Sequence, residues 1–384
     1  MINSRLALVA VATSAAIALA GCGGSGTATP SGGAAAKAAG GDELLAMPKV
    51  ETTDGLVIDG ETIADKELFE AAKADKVNLY SASGKESEDL TVARFKAETG
   101  IDIELTRMPT NKLAERVLSE QGAGQLKAGV VRVTDPRVAE DFAAKGVYTA
   151  YKPPSFAELS KGDDVVFNDG QYLTAYYSAY AFGYNSQLVK GGDVPKKWED
   201  LADPKWQGKL GVVNAGAGGT VTALAHMHIT EFGADYLAKL GALKPRIFDT
   251  TSVQLEALAR GEIAVATLGF NSTYGAEVAG APIKLVVPED GISGSFNLMG
   301  LTPAGAKSPA AKVFVNWTMS QAGQKFAAAQ GFVPARPGLE PQKTGEYQLP
   351  AADSDTFKLY TPEDAVKYGK SDVETWNKAF NYVG

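Results

Sequence analysis

The groups in this chain best suited to chemistry belong to the main chain rather than to side chains. Ala215-Gly216-Ala217-Gly218-Gly219-Thr220 is a run of small residues, and the sequence that follows, VTALAHMHITEF, is patterned as a helix. A loop of this kind leaves N–H groups bare at the positive end of a helix dipole, where an anionic group is favoured. The alternative is a tight strand-to-helix turn that holds nothing. Three other polar turns could join it: Ser81-Ala82-Ser83-Gly84, Thr134-Asp135-Pro136 and Thr250-Thr251-Ser252. Hydroxyls in such turns either cap the next helix or bond a ligand. Asp135 either meets an amine on a zwitterionic ligand or only shapes the turn before Pro136.

Other chemistries find less support. The two histidines, His226 and His228, lie two apart on a patterned helix. They therefore point about 200° from one another and cannot hold one metal ion together. The sequence contains no H-E-x-x-H, no G-x-S-x-G and no G-x-x-x-x-G-K-[ST]. No catalytic residue, metal site or cofactor is expected, although a pair of carboxylates brought together by the fold stays open.

These turns need elements to position them. Val77–Tyr80 is a strand, 86–99 a helix closed by Gly100, and 101–106 an alternating strand. Asn111–Gln121 is helical, Val130–Val133 a strand and 137–145 a helix. Strands alternating with helices across short polar turns indicate a parallel α/β sheet, in which ligands bind beyond the carboxyl ends of the strands. A second set follows, with strands at 210–213, 263–267 and 283–287 and a helix at 252–259. Between the sets runs YLTAYYSAYAFGY (172–184), aromatic and small without a helical period, read as extended chain crossing between domains. Residues 296–301 are read as the return crossing. Trp198, Leu201 and Trp206 are spaced to pin a loop to the core. Helices at 309–319, 321–330 and 372–380 close the chain.

The expected organisation is an α/β fold of two lobes joined by two extended crossover strands that act as a hinge. The first lobe takes 76–178 and 295–384, and the second 179–294. Residues 42–75 form an N-terminal extension.

Length and composition agree with two domains. The 384 residues are 45% hydrophobic and 21% charged, with a net charge of −8 and no dense basic run, which argues against nucleic-acid binding. At the start, Arg5 precedes an apolar run from Leu6 to Ala20, the proportions of a signal peptide rather than of a membrane span. Leu19-Ala20-Gly21-Cys22 resembles a bacterial lipobox, and Cys22 is the single cysteine. The resemblance implies cleavage after residue 21 and lipidation of Cys22. Residues 23–41, almost wholly Gly, Ala, Ser and Thr, then form a flexible tether.

Taken together the chain resembles the bacterial extracellular solute-binding proteins of ABC importers, in the branch of ferric-ion, phosphonate and organic-anion receptors. Four stretches carry the match: VNLYSASGKESEDLTVARFKAETGIDIEL, PKKWEDLADPKWQGKLGVV, LEALARGEIAVA and SPAAKVFVNWTMSQAGQKFAAAQGFVPARPG. The resemblance implies a closing two-lobe receptor without catalysis, monomeric, that hands a small solute to a membrane permease. Its ferric members carry adjacent tyrosines after the LEALARGEIAVA-like stretch. Here that region reads LGFNSTY (268–274), so Asn271 and Tyr274 offer ordinary hydrogen bonds where a hard metal ion asks for a phenolate pair.

The expected ligand is an organic anion or zwitterion bearing phosphonate, phosphate, sulfonate or carboxylate. Its donors are N–H groups of Gly218, Gly219 and Thr220 and polar groups of Ser81, Ser83, Gly84, Thr134, Thr250 and Thr251. A cation or polyamine receptor is the variant reading, with Asp135, Tyr80, Tyr177 and Tyr274 as acid and aromatic walls. The anchor has its own test. Replacing Cys22 by Ser should move the protein from the membrane fraction to the soluble fraction, and continued membrane retention would remove the lipobox reading.

Overall fold

A computed structural model describes residues 46–383. The signal peptide, Cys22 and the tether lie outside the described residues. One sheet organises the rest. Its strand order is Arg246–Phe248, Leu210–Val213, Val265–Gly269, Tyr172–Asn185, Ile292–Leu301, Val130–Val133, Lys76–Ser81, Asp102–Arg107. The two long strands at the centre are the expected crossings. They pair antiparallel with one another from Ser293↔Tyr180 to Met299↔Leu173, with an irregularity between Asn297 and Leu298. On one side of them Leu210–Val213 runs parallel to Arg246–Phe248 and Val265–Gly269. On the other, Lys76–Ser81 runs parallel to Asp102–Arg107 and Val130–Val133. The result is a two-lobe α/β fold with both crossings in the shared sheet.

Each set builds its own core. Val77, Leu79, Phe95, Val130, Phe314 and Trp317 pack together on the first side. Leu210, Val212, Leu224, Leu240, Val265 and Leu268 pack on the second. Trp198, Leu201 and Trp206 are buried in that second core as their spacing suggested. The indole N–H of Trp198 donates to the Gly291 carbonyl at 2.8 Å. Burying each such aromatic side chain contributes about 1.5–3 kcal/mol.

Several elements differ from the sequence reading. The extension forms a three-stranded antiparallel sheet (Val50–Glu51, Leu56–Ile58, Glu61–Ala64) ahead of the helix Lys66–Lys73, the one element of this segment the sequence indicates, over 67–73. Leu56, Ile58, Ile63 and Phe69 join the first core, so this segment is part of that side. Its strands were missed because each is four residues or shorter, too brief for a period of two to register. The terminal helix runs over Pro362–Phe380, ten residues longer at its start than expected. Thr361 caps it and Pro362 opens it, and Trp376 and Phe380 are buried in the second core. Phe270–Val278 forms a helix to which the sequence reading assigned no element.

The histidines separate as their spacing requires. His226 Nδ1 lies 2.9 Å from Asp372 Oδ2, whereas His228 is buried against the rings of Trp198 and Tyr236. His228 Nε2 has no hydrogen-bond partner, and burial lowers its pKa to about 3. The unfolded chain takes up a proton near pH 6.5 while the folded chain does not. Stability is therefore lost as pH falls from about 6.5 towards 3, at up to about 1.4 kcal/mol per pH unit. His228→Phe should flatten this acid limb in urea titrations between neutral pH and about pH 4. An identical pH slope in the variant would contradict the assignment.

Candidate functional site

Five helices begin at one cavity. They are Lys85–Thr99, Thr110–Gly122, Gly219–Phe232, Thr251–Ala259 and Phe270–Val278, with N-caps Gly84, Pro109, Gly218, Thr250 and Gly269. All five N-cap residues line the cavity. Each helix follows a strand or a short turn from one, so the parallel topology delivers their starts to the same end of the sheet. The first N–H groups of a helix have no acceptor within it.

Elsewhere a side chain supplies one. Asp65, Asp135, Ser308, Ser320 and Thr361 each accept a hydrogen bond from the start of their own helix, away from the cavity. At the cavity only Thr250 does so, its Oγ1 accepting from the N–H of Val253 at 3.3 Å. Gly84, Pro109, Gly218 and Gly269 provide no side-chain cap. Of the described α-helices without one, just Ala234–Ala242 and the four-residue Phe156–Leu159 start elsewhere.

The cavity is a cleft partly open to solvent, with a volume of about 120 Å³. A cavity needs about 10–15 Å³ to admit one water, so this space admits several, room for a small organic solute. Its charges are unevenly distributed. Arg107, at the end of its strand, is half-buried on the wall and donates from Nε to the Ser83 carbonyl at 2.8 Å. Burial pulls its pKa below the ordinary value, against the influence of Glu86 and Glu88. Among the described residues it forms no salt bridge. The carboxylates of the lining, Glu86 and Asp249, are solvent-exposed at the rim.

The residues expected from sequence divide into two groups. Ser83, Gly84, Thr134, Gly218, Thr220, Thr250, Thr251 and Asn271 all line the cavity. Thr134 Oγ1 lies 2.9 Å from Thr110 Oγ1, and Asn271 donates to Ser87 Oγ at 2.8 Å, linking helices from the two sides.

Five others do not line it. Ser81 is fully buried and donates to Glu88 Oε1 at 2.6 Å. Asp135 caps the helix Pro136–Ala144 and pairs with Arg137 at 2.7 Å, the turn role rather than the amine-binding one. Tyr177 points to the opposite face of its strand from Ser178 and packs on Phe296. Tyr274 packs against Phe270 and Tyr347. Gly219 is pressed against the main chain of Thr134 and Asp135, where a Cβ would overlap the Thr134 carbonyl. Its service is close approach of two backbones. Tyr80, offered as an aromatic wall, instead hydrogen-bonds Glu120 and Arg116.

Sequence reasoning missed Arg107, Ser178, Tyr180 and Asn297, all of which line the cavity. Arg107 ends a strand in a parallel set, a position the topology marks. Ser178 and Tyr180 stand two apart in the crossing strand and so share its face. The Tyr180 hydroxyl is buried without a hydrogen-bond partner, and burial raises its pKa, so it keeps its proton. Asn297 carried no signal beyond being a polar residue in an apolar strand.

Residues 126–358 match a family described as bacterial extracellular solute-binding protein. An uncharacterised protein of Haemophilus influenzae is 27% identical over 320 residues, covering 79% of this chain and 90% of its own. A putative 2-aminoethylphosphonate-binding periplasmic protein of Salmonella typhimurium is 22% identical, covering 79% and 91%. Iron-bound HitA from Pseudomonas aeruginosa aligns with a TM-score of 0.63 at 21% identity, over 79% of this chain and 99% of that one, and so shares the fold. The matched region spans more than half of the chain, and the fold and the cleft agree with it: this protein belongs to the bacterial extracellular solute-binding proteins, the receptors of ABC importers.

Proposed function

We propose that this receptor captures a small organic oxyanion, a phosphonate, phosphate, sulfonate or carboxylate, and that an amine on the same solute is accommodated at the rim. The observation that carries the reading is the convergence of five helix starts, four without a side-chain cap, on a cavity walled by Arg107. Helix starts attract negative charge by about 0.3–1 kcal/mol each when exposed and more when partly buried. Hydrogen bonds to an ionised group contribute about 1.5–3 kcal/mol each. A few of these offset association and closure costs of several kcal/mol and leave micromolar affinity. Exposed Glu86 and Asp249 suit an ammonium group at the entrance, in keeping with the name of the Salmonella relative.

Capture proceeds by closure. The solute docks at the start of the helix Gly219–Phe232, and the two sides come together about the crossing strands. Closure brings Gly219 against Thr134 and Asn271 to Ser87. The solute shifts this equilibrium only by binding the closed form more tightly. Lobe limits of 76–178 with 295 onward, and of 179–294, suit this motion, except that the helix Pro362–Phe380 packs on the second side through Trp376 and Phe380. Lipidated Cys22 tethers the receptor, as a monomer, to the cell envelope beside its permease. The ferric alternative draws less from the cavity, whose lining has one tyrosine, Tyr180, and no histidine or cysteine.

Two measurements test this. A thermal-shift series with 2-aminoethylphosphonate, 2-aminoethanesulfonate, inorganic phosphate and ferric citrate should show stabilisation by at least one oxyanion that rises with its concentration. Stabilisation by ferric citrate alone would overturn the reading. In calorimetry, Arg107→Gln should weaken binding of that oxyanion about 10–100-fold, the equivalent of one charged hydrogen bond. Unchanged affinity would take Arg107 out of the site.

A further inference from the structure

Behind the cavity wall lies a buried ion pair that capture as described does not use. Arg132 and Glu88 are 1% and 0% exposed. Arg132 Nη1 donates to Glu88 Oε1 at 2.8 Å and to the Tyr176 hydroxyl at 3.2 Å. A guanidinium only donates, so Tyr176 accepts there and its own proton must go elsewhere. The next oxygen is Ser83 Oγ, 3.4 Å away. Ser83 donates in turn to Asn297 Oδ1 at 2.6 Å. That bond fixes the amide, leaving Asn297 Nδ2 to donate to Ser178 Oγ at 2.6 Å. Ser178 thus already receives a proton from behind, and its own is left for the cavity it lines. The same strand repeats the arrangement two residues earlier: Ser295 Oγ donates to Thr220 Oγ1 at 3.2 Å, and Thr220 also lines the cavity.

We propose that Arg132, Tyr176, Ser83 and Asn297 form a one-way hydrogen-bond relay that commits Ser178 to donate to the captured oxyanion, with Asn297 as the positioning residue. The inference rests on the oxyanion reading above and deepens it. A permanent cation at the inner end sets the direction of every bond, and the outer end presents a proton. The relay therefore selects a ligand atom that can accept a hydrogen bond, most strongly a charged oxygen, and disfavours a group such as an ammonium that only donates. It also accounts for a costly feature. A buried ion pair with Glu88 Oε2 and Arg132 Nε unpartnered is weak as a source of stability, but it orients a chain of neutral groups.

Asn297→Asp provides the test. At about pH 8 the new carboxylate has no N–H, and Ser178 must turn its proton towards it. Calorimetry with 2-aminoethylphosphonate should then show binding weaker than wild type by about tenfold or more. A buried carboxyl takes up a proton readily. At about pH 5.5 its O–H replaces Nδ2, and the deficit relative to wild type at the same pH should shrink to about threefold or less. Ser178→Ala should lose about tenfold at both pH values, with no recovery. Thermal unfolding checks that each variant is folded.

A deficit in Asn297→Asp that does not change with pH is the mark of a merely structural role and overturns the relay, as does wild-type affinity in either variant. Failure of the wild-type protein to bind 2-aminoethylphosphonate, with inorganic phosphate and 2-aminoethanesulfonate also silent, overturns the oxyanion reading itself, and the relay with it.

Discussion

A main-chain N–H at a helix start must find an acceptor or lose free energy, and this molecule gathers several helix starts without a side-chain cap at one cleft. Most of its other helices solve the problem with a serine, threonine or aspartate one step before the first turn. Around the cavity the equivalent positions are Gly84, Pro109, Gly218 and Gly269, which have nothing to offer. The acceptor has to come from outside, and bulk water or a negatively charged solute supplies it. When the sides close, water is displaced and a charged acceptor gains over a neutral one, because each interaction strengthens in a drier space.

The sheet explains why the two sides can meet at this point. Both crossing strands lie in its middle, so the helix starts on either side face each other across them. Gly219 allows the backbones of the two sides to touch. The crossing strands also contribute directly, since Ser178, Tyr180 and Asn297 face the cavity from them. On this reading the strands are at once the axis of closure and the floor of the site, and the buried Arg132–Glu88 pair sets the polarity of that floor.

The architecture was largely legible in the sequence because it is written in periodicities. Alternating runs such as Ile101–Thr106 and the aromatic and small stretch from Tyr172, which lacks a helical period, marked the strands, and the helices followed from their spacing. The short strands of the extension and of Arg246–Phe248 were hidden by their length. The candidate site was legible as turns but not as side chains. Gly218, Thr220, Ser83, Thr134 and the Thr250–Thr251 pair stood out because polar turns at strand ends are a local signal. Which member of a turn faces the cavity is not local. Ser81 and Ser83 are two residues apart, yet one is taken by Glu88 and the other reaches the wall. Arg107 and Asn297 were missed for the same reason: their roles depend on neighbours more than twenty residues away.

The most direct test is a crystal structure of the protein with its captured solute. The expected result is an oxyanion seated among the starts of the helices that begin at Thr110, Gly219 and Thr251, with its oxygens bonded by main-chain N–H groups and by the guanidinium of Arg107. A solute held outside this cavity, or a metal ion gripped by side chains with the helix starts still facing water, would contradict it.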